Sequence, residues 1–427
     1  MKSGMVRKLT AATLSLLAVS CAPPTTTPVK VKALLLSSNG EYTPTDVELT
    51  TVTDIVALEG QVVKMQGGAT IQVDPNDPEI AAAQTEETFE RAILKTAGRP
   101  VTASYITDEK GILWPADFHT WNLVTTYYNL ERAFKYFTTV GNMPQADLPQ
   151  TRVFYFPEFI LADVSDKAQH DNALFYSPVK SFVVLPFETL QSAPLAINAS
   201  ILAHEYSHLV FNRRTYGGSA LPAPLTTWSG GGTSTPGLNV LKSLDEGLAD
   251  FHAWAASCES PYGCNSRILF SSFNEQQVDA RDISKNVCMS ADLYISYTTS
   301  SVNVFSGLEY RVGTILANAL YKSSTTAANR QVLVRAIIDA YSDESPTKFG
   351  FKQLTSIYLT SQGNFTMARA MRAIVQHIPR GNVDLRQAVC TNLATQLQIP
   401  VGDLTGGEDD CPASTTTTTS CPSIYAP

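Results

Sequence analysis

Apolar and polar positions alternate through the first part of the chain. Val29-Lys-Val-Lys-Ala-Leu-Leu-Leu36 and Thr70-Ile-Gln-Val-Asp74 have the period-two pattern of half-buried strands. Ser38-Asn39-Gly40 and Asp74-Pro75-Asn76-Asp77-Pro78 supply turn chemistry between such runs. The pattern predicts a small β-rich domain over residues 29–110. Apolar runs at 151–163 and 181–187 have strand length. Between Asn198 and Asn212 the spacing changes, and Ile201, Leu202, Leu209, Val210 and Phe211 read as a buried helix capped by Asn198 or Ser200. Beyond Tyr310 apolar residues recur at three and four, which predicts helices over Val312–Tyr321, Gln331–Tyr341, Phe351–Leu359 and Met367–Ile378. The expected class is therefore α+β, with a central domain over 111–300, a helical subdomain over 301–405 and a low-complexity tail over 406–427 that is disordered apart from any disulfide. No internal repeat interrupts this order.

Composition changes the picture at the ends and in the charge. With 427 residues, 44% hydrophobic and 16% charged, the chain can bury a sizeable core. Lys2, Arg7 and Lys8 precede an apolar run from Leu9 to Val19 that is short for a membrane span, so residues 1–20 read as a signal peptide. Loss of those three cations takes the formal charge from −8 to about −11, which argues against nucleic acid or anionic lipid as a partner. Seven cysteines are present; beyond Cys21 the remaining six allow up to three disulfides in fifteen connectivities. Cys258 and Cys264 bracket a Pro261-Tyr-Gly263 turn able to bring them together.

The candidate chemistry is concentrated in His204-Glu205-Tyr206-Ser207-His208. On a helix, positions i and i+4 project from one face one turn apart, so both imidazoles can bind one Zn²⁺. Glu205 lies about a hundred degrees round the helix, placed to take a proton from a water on the metal rather than to ligate. Downstream, Asp245-Glu246-Gly-Leu-Ala-Asp250 offers Glu246 as third ligand. Asp250, one turn later, is placed to accept the second ring N–H of a ligating histidine. The alternative for this segment is a cap at Asp245 with Glu246 in the first turn, favoured by the helix dipole. His119, His170, His252 and His377 have no partner at ligand spacing.

His204-Glu205-x-x-His208 followed by Glu246-x-x-x-Asp250 resembles the gluzincin metallopeptidases, the thermolysin-like ones in particular. The resemblance implies a zincin-like catalytic domain with a mixed sheet and an active-site helix. It implies zinc on His204, His208 and Glu246, and Glu205 as the base. Asp171-Asn172-Ala173-Leu-Phe-Tyr176 resembles the substrate-gripping edge strand of that group, which gives Asn172 and Ala173 a substrate-binding role. The aromatic segment from Trp121 to Phe137 resembles the helix before that strand. Tyr310 is the candidate for stabilising the oxyanion. Thirty-seven residues separate His208 from Glu246, more than compact members use, and the excess falls in a Gly/Pro/Ser/Thr-rich stretch between Tyr216 and Gly237 that reads as a surface loop.

Ala18-Val-Ser-Cys21 resembles a bacterial lipobox, which implies an acyl chain on Cys21, a tether over 21–28 and an outer-membrane address. Simple secretion or a periplasmic place is the alternative. The expected activity is zinc-dependent endopeptidase-like hydrolysis of a peptide or protein, with membrane contact through the lipid only. An exopeptidase on the same site and a non-catalytic binding lipoprotein with a retained zinc are the other readings. The presence of Glu205 speaks against the last.

Overall fold

The computed structural model describes residues 27–37, 39–188, 193–219, 233–234, 236–259, 263–299, 302–303, 307–342, 348–352, 365–417, 421 and 423–425. The expectations placed on residues 1–26, Cys21 among them, fall outside these residues, as do most of those on 216–237 and on 351–359.

The N-terminal strands are β1 (Val29–Leu36), β2 (Tyr42–Leu49), β3 (Val52–Asp54), β4 (Glu59–Gly60), β5 (Val63–Gly67), β6 (Thr70–Val73), β7 (Leu94–Thr96), β8 (Arg99–Pro100), β9 (Tyr105–Thr107) and β10 (Leu113–Pro115). The central ones are β11 (Thr151–Tyr155), β12 (Glu158–Leu161), β13 (Ala173–Tyr176) and β14 (Ser181–Val184). A seven-stranded sheet runs β13-β14-β11-β5-β4-β3, with β8 also on β5. Within it β11 is parallel to both β14 and β5, while β13 pairs antiparallel with β14 as the edge. A four-stranded sheet (β2-β1-β10-β9) and a three-stranded one (β12-β6-β7) complete this half. The class is thus α+β with mixed sheets. The boundary expected at residue 110 does not divide two cores, because β5 lies between β4 and β11 and one buried cluster runs from Val31 to Cys411. Alternation of side chains alone could not tell which sheet each N-terminal strand joins.

Two short helices, α1 (Pro78–Ala81) and α2 (Glu86–Ile93), precede the long α3 (Phe118–Thr139), which Asp117 caps by accepting from the Thr120 N–H at 2.9 Å. Buried Glu131 of α3 accepts from the N–H groups of Thr50 and Thr51 at 3.0 and 3.1 Å, tying the helix to the bend between β2 and β3. Helix α4 (Ala199–Tyr216) is capped by Asn198, whose Oδ1 accepts from Ser200 and Ile201 N–H at 3.0 and 3.1 Å. It runs one turn beyond the expected Asn212 and ends at Gly217, at φ 65°. Helix α5 (Pro236–Ser257) starts on a proline, so the end of the stretch read as loop is already helical.

Beyond these, α6 (Glu275–Ala280), α7 (Ala291–Thr299), α8 (Leu308–Ser323), α9 (Ala327–Tyr341), α10 (Met367–His377) and α11 (Val383–Leu397) build the helical half. Helices α5 and α8 cross at glycines: a Cβ on Gly247 would lie 2.5 Å from the Gly313 carbonyl oxygen. That approach sets the position of Glu246, since a Cβ on Gly313 would meet its Cβ at 3.2 Å.

The tail departs from expectation. Asp410 is buried, accepting from Arg372 at 2.6 and 2.9 Å and from the Gln376 Nε2 at 2.8 Å. Ile424–Tyr425 pairs in parallel with Cys288–Met289. Composition concealed the Asp410 contacts and the strand pairing, because they rest on a few polar and backbone bonds rather than on apolar periodicity. Disulfides join Cys258 to Cys264, Cys288 to Cys421 and Cys390 to Cys411. Such bonds belong to an oxidising compartment, extracellular or periplasmic. Among the described residues no helix is long and apolar enough to cross a membrane.

His252, on α5, is wholly buried between the hydroxyls of Tyr136 at 2.9 Å and Tyr341 at 3.1 Å. Burial pushes its pKa down to about 3. The unfolded chain therefore binds a proton here that the folded chain refuses. Stability is full above about pH 6.5 and falls as the pH drops toward 3, by up to about 1.4 kcal/mol per unit. In urea unfolding, His252→Gln is expected to lose about 2–3 kcal/mol less than wild type between pH 7 and pH 4.5. Equal losses in the two proteins would refute the assignment.

Candidate metal centre

Helix geometry sets the first half of the site. His204 and His208 lie one turn apart on α4, and their Nε2 atoms are 2.9 Å from each other. The second half arrives from α5, where Glu246 Oε2 lies 3.4 Å from His204 Nε2 and Oε1 lies 3.9 Å from His208 Nε2. Together His204, His208 and Glu246 present three ligand atoms within 4.8 Å of one another, a group able to hold a metal ion. The donor set fits one: two ring nitrogens and a carboxylate converge on a point, and the outward Nδ1 of each ring faces a carboxylate.

Those outer carboxylates are Asp245 and Asp250. His208 Nδ1 is 2.7 Å from Asp245 Oδ1 in a hydrogen bond. His204 Nδ1 is 2.9 Å from Asp250 Oδ1, off the axis of a well-aligned hydrogen bond. Asp250 was the expected partner of a histidine. The spacing assigns Asp245 no such role and offers it only as the alternative cap; α5 starts at Pro236, so Asp245 is mid-helix and projects toward α4. Arg281 was missed as well. Its Nη2 donates to Asp250 Oδ1 at 2.6 Å and reaches Glu246 Oε2 at 3.5 Å, across more than thirty residues of sequence and with no spacing signal to announce it.

Groups of opposite charge shift one another within the cluster. Burial pushes Glu246 up, but the His204 hydrogen bond and the charges of His208, His204 and Arg281 outweigh it and bring its pKa down to about 2. Burial opposes a proton on His208, yet the Asp245 charge and hydrogen bond, with Glu246, raise it to about 10. His204 is raised too, because Asp250 and Glu246 outweigh burial and the His208 charge. Metal uptake by such a cluster must displace protons.

Glu205 lies beside the group rather than in it, with Oε1 4.0 Å from His204 Nε2. Its Oε2 accepts from the Phe175 N–H of β13 at 2.7 Å. Burial, first of all, raises its pKa. Ala173 is buried on β13, and Asn172 is exposed just before it, with Oδ1 accepting from the Ala173 N–H at 2.9 Å. The Tyr310 ring, partly exposed at the start of α8, lies 5.1 Å from the Arg281 guanidinium. The neighbouring Glu246 charge and burial raise its phenol, which stays a donor. A cavity of about 520 Å³ opens against a different face of α4, at Ala199 and Ala203, and none of the metal group lines it. His119, bonded to the Tyr155 hydroxyl at 2.9 Å, and His377, bonded to the Ala373 carbonyl, take part in other contacts.

No protein-family model and no curated protein matches this chain.

Proposed function

We propose that the chain is a zinc-dependent peptide-bond hydrolase of the endopeptidase kind with a zincin-like catalytic domain, as the gluzincin resemblance implies. The observation that carries the reading is Glu205 poised beside three convergent ligands, since a purely structural metal site has no use for a buried base. His204, His208 and Glu246 would hold the zinc, with Asp245 and Asp250 fixing the imidazole rings. Bound there, zinc supplies Lewis acidity, polarising a carbonyl and lowering the pKa of water toward neutrality. Glu205 takes the proton at its carboxylate and returns it to the leaving amine. Tyr310 donates to the developing oxyanion from the rim. An extended chain added along β13 would meet Asn172 and Ala173, a mode of binding that supports peptides over small esters as substrates.

A peptide-library digest with and without a chelator tests this. Internal cuts that vanish with chelator and return with added zinc are the expected result. Release of single terminal residues would favour an exopeptidase, and no cleavage at all would leave a binding protein. The anchoring reading is separate: Cys21 carries an acyl chain that tethers the folded chain to the outer membrane. Labelled palmitate incorporated into wild type and absent from Cys21→Ala is expected; equal labelling would remove it.

A further inference from the structure

Among the described residues β13 is the edge of the seven-stranded sheet. The bond from the Leu185 N–H to the Asn172 carbonyl fixes the parity of its pairing with β14. The Val184 carbonyl agrees, because it turns the other way to accept from Phe156. Leu174 and Tyr176 therefore face β14 through their backbone groups, while Ala173 and Phe175 turn theirs outward. An edge of this kind is a template for a further extended chain. Both outward donors are nonetheless engaged by side chains of the protein itself. Ala173 N–H donates to Asn172 Oδ1 at 2.9 Å, and Phe175 N–H donates to Glu205 Oε2 at 2.7 Å.

We propose that the Phe175 N–H makes cleavage selective for extended peptides, an inference that rests on the hydrolase reading above. A substrate long enough to lie along β13 brings a backbone carbonyl to the Phe175 N–H and releases Glu205 Oε2. A peptide too short to reach residue 175 leaves the base tied to the strand. The physical basis is an exchange of bonds. The amide–carboxylate hydrogen bond is charge-assisted and stronger than the amide–carbonyl bond that replaces it. Strand pairing elsewhere along the substrate must supply the difference. Binding energy used in this way appears in kcat rather than only in KM. The carboxylate is placed for the exchange, with one oxygen on the strand and the other 4.0 Å from His204 Nε2.

Two measurements decide. In metal-free protein without substrate, Glu205→Ala is expected to speed amide hydrogen exchange at Phe175 by about tenfold or more, the scale of one charge-assisted bond. Leu174 and Tyr176, paired into β14, should remain slow. Unchanged exchange at Phe175 overturns the proposal. The second measurement is kcat on zinc-loaded protein for peptides of increasing length around one scissile pair. In wild type, kcat should rise about tenfold to a hundredfold once the peptide reaches Phe175. An amide-to-ester replacement at residue 175 deletes the N–H, and should make kcat independent of length. Phe175→Pro removes the same donor on an edge strand, where proline is tolerated. Phe175→Ala keeps the N–H and should keep the length dependence whatever its absolute rate. Length dependence that survives the ester, or is missing in wild type, overturns the inference and leaves the hydrolase reading standing. A wild type that cuts none of the peptides with zinc present removes both.

Discussion

Replacing His204 or His208 with alanine is expected to leave the purified chain without stoichiometric zinc and without peptide-cleaving activity. Each imidazole supplies one of three convergent ligand atoms, and two remaining donors make a poor tetrahedral site. The fold should survive, because the loss occurs in a charged cluster rather than in the apolar packing around Leu202, Leu209 and Val210. The cluster also predicts a graded series. Asp245→Ala removes the carboxylate on His208 Nδ1 and should cost about ten- to a hundredfold in zinc affinity, the range of outer-shell partners. Asp250→Ala should cost as much and more, because it also strands the Arg281 guanidinium that shares the carboxylate. Metal analysis by mass spectrometry, with a competition titration at fixed pH, checks the series. Stoichiometric zinc in His204→Ala would overturn the ligand assignment, and wild-type affinity in Asp245→Ala would reduce that residue to a surface contact.

Glu205→Gln is expected to separate binding from turnover. Glu205 is not among the three converging ligand atoms, so the amide should leave zinc in place. It removes the proton acceptor, and the rate should fall by about 10²–10⁴, the usual contribution of a positioned base. Glutamine can still accept from the Phe175 N–H through its amide oxygen, so the strand contact is conserved and does not confuse the result. Glu246→Gln should do the reverse, weakening zinc because a neutral amide is a poorer donor than a carboxylate. Zinc content and kcat measured on both proteins check the division. Loss of zinc from both to the same degree would show that the two glutamates do not have separate roles.

Much of the site was legible in the linear chain because helix geometry is local. His204 and His208 share a face through their spacing alone, and Asn198 before an apolar run identifies the start of α4. The alternation in Val29–Leu36 likewise named a strand before its partners were known. The approach of α5 to α4 was not legible, because it depends on packing between helices, and the glycine crossing of Gly247 and Gly313 that seats α5 against α8 is likewise a contact between distant segments. Only the fold reveals that Asp245 is mid-helix and reaches His208. Arg281 follows the same rule: a guanidinium from the turn that ends α6 finds Asp250, and no periodicity encodes the meeting.

By itself, then, the sequence determined what neighbouring residues share: the two imidazoles of one helix turn, the Glu205 carboxylate between them and the strand-forming runs. The tertiary structure decided which N-terminal strands join the central sheet, that the tail packs through Asp410, and that Glu205 is held by an edge-strand amide thirty residues upstream. The reason is range. Local backbone geometry repeats along the chain and can be read from spacing, whereas a contact between distant segments is chosen by the packing of everything between them.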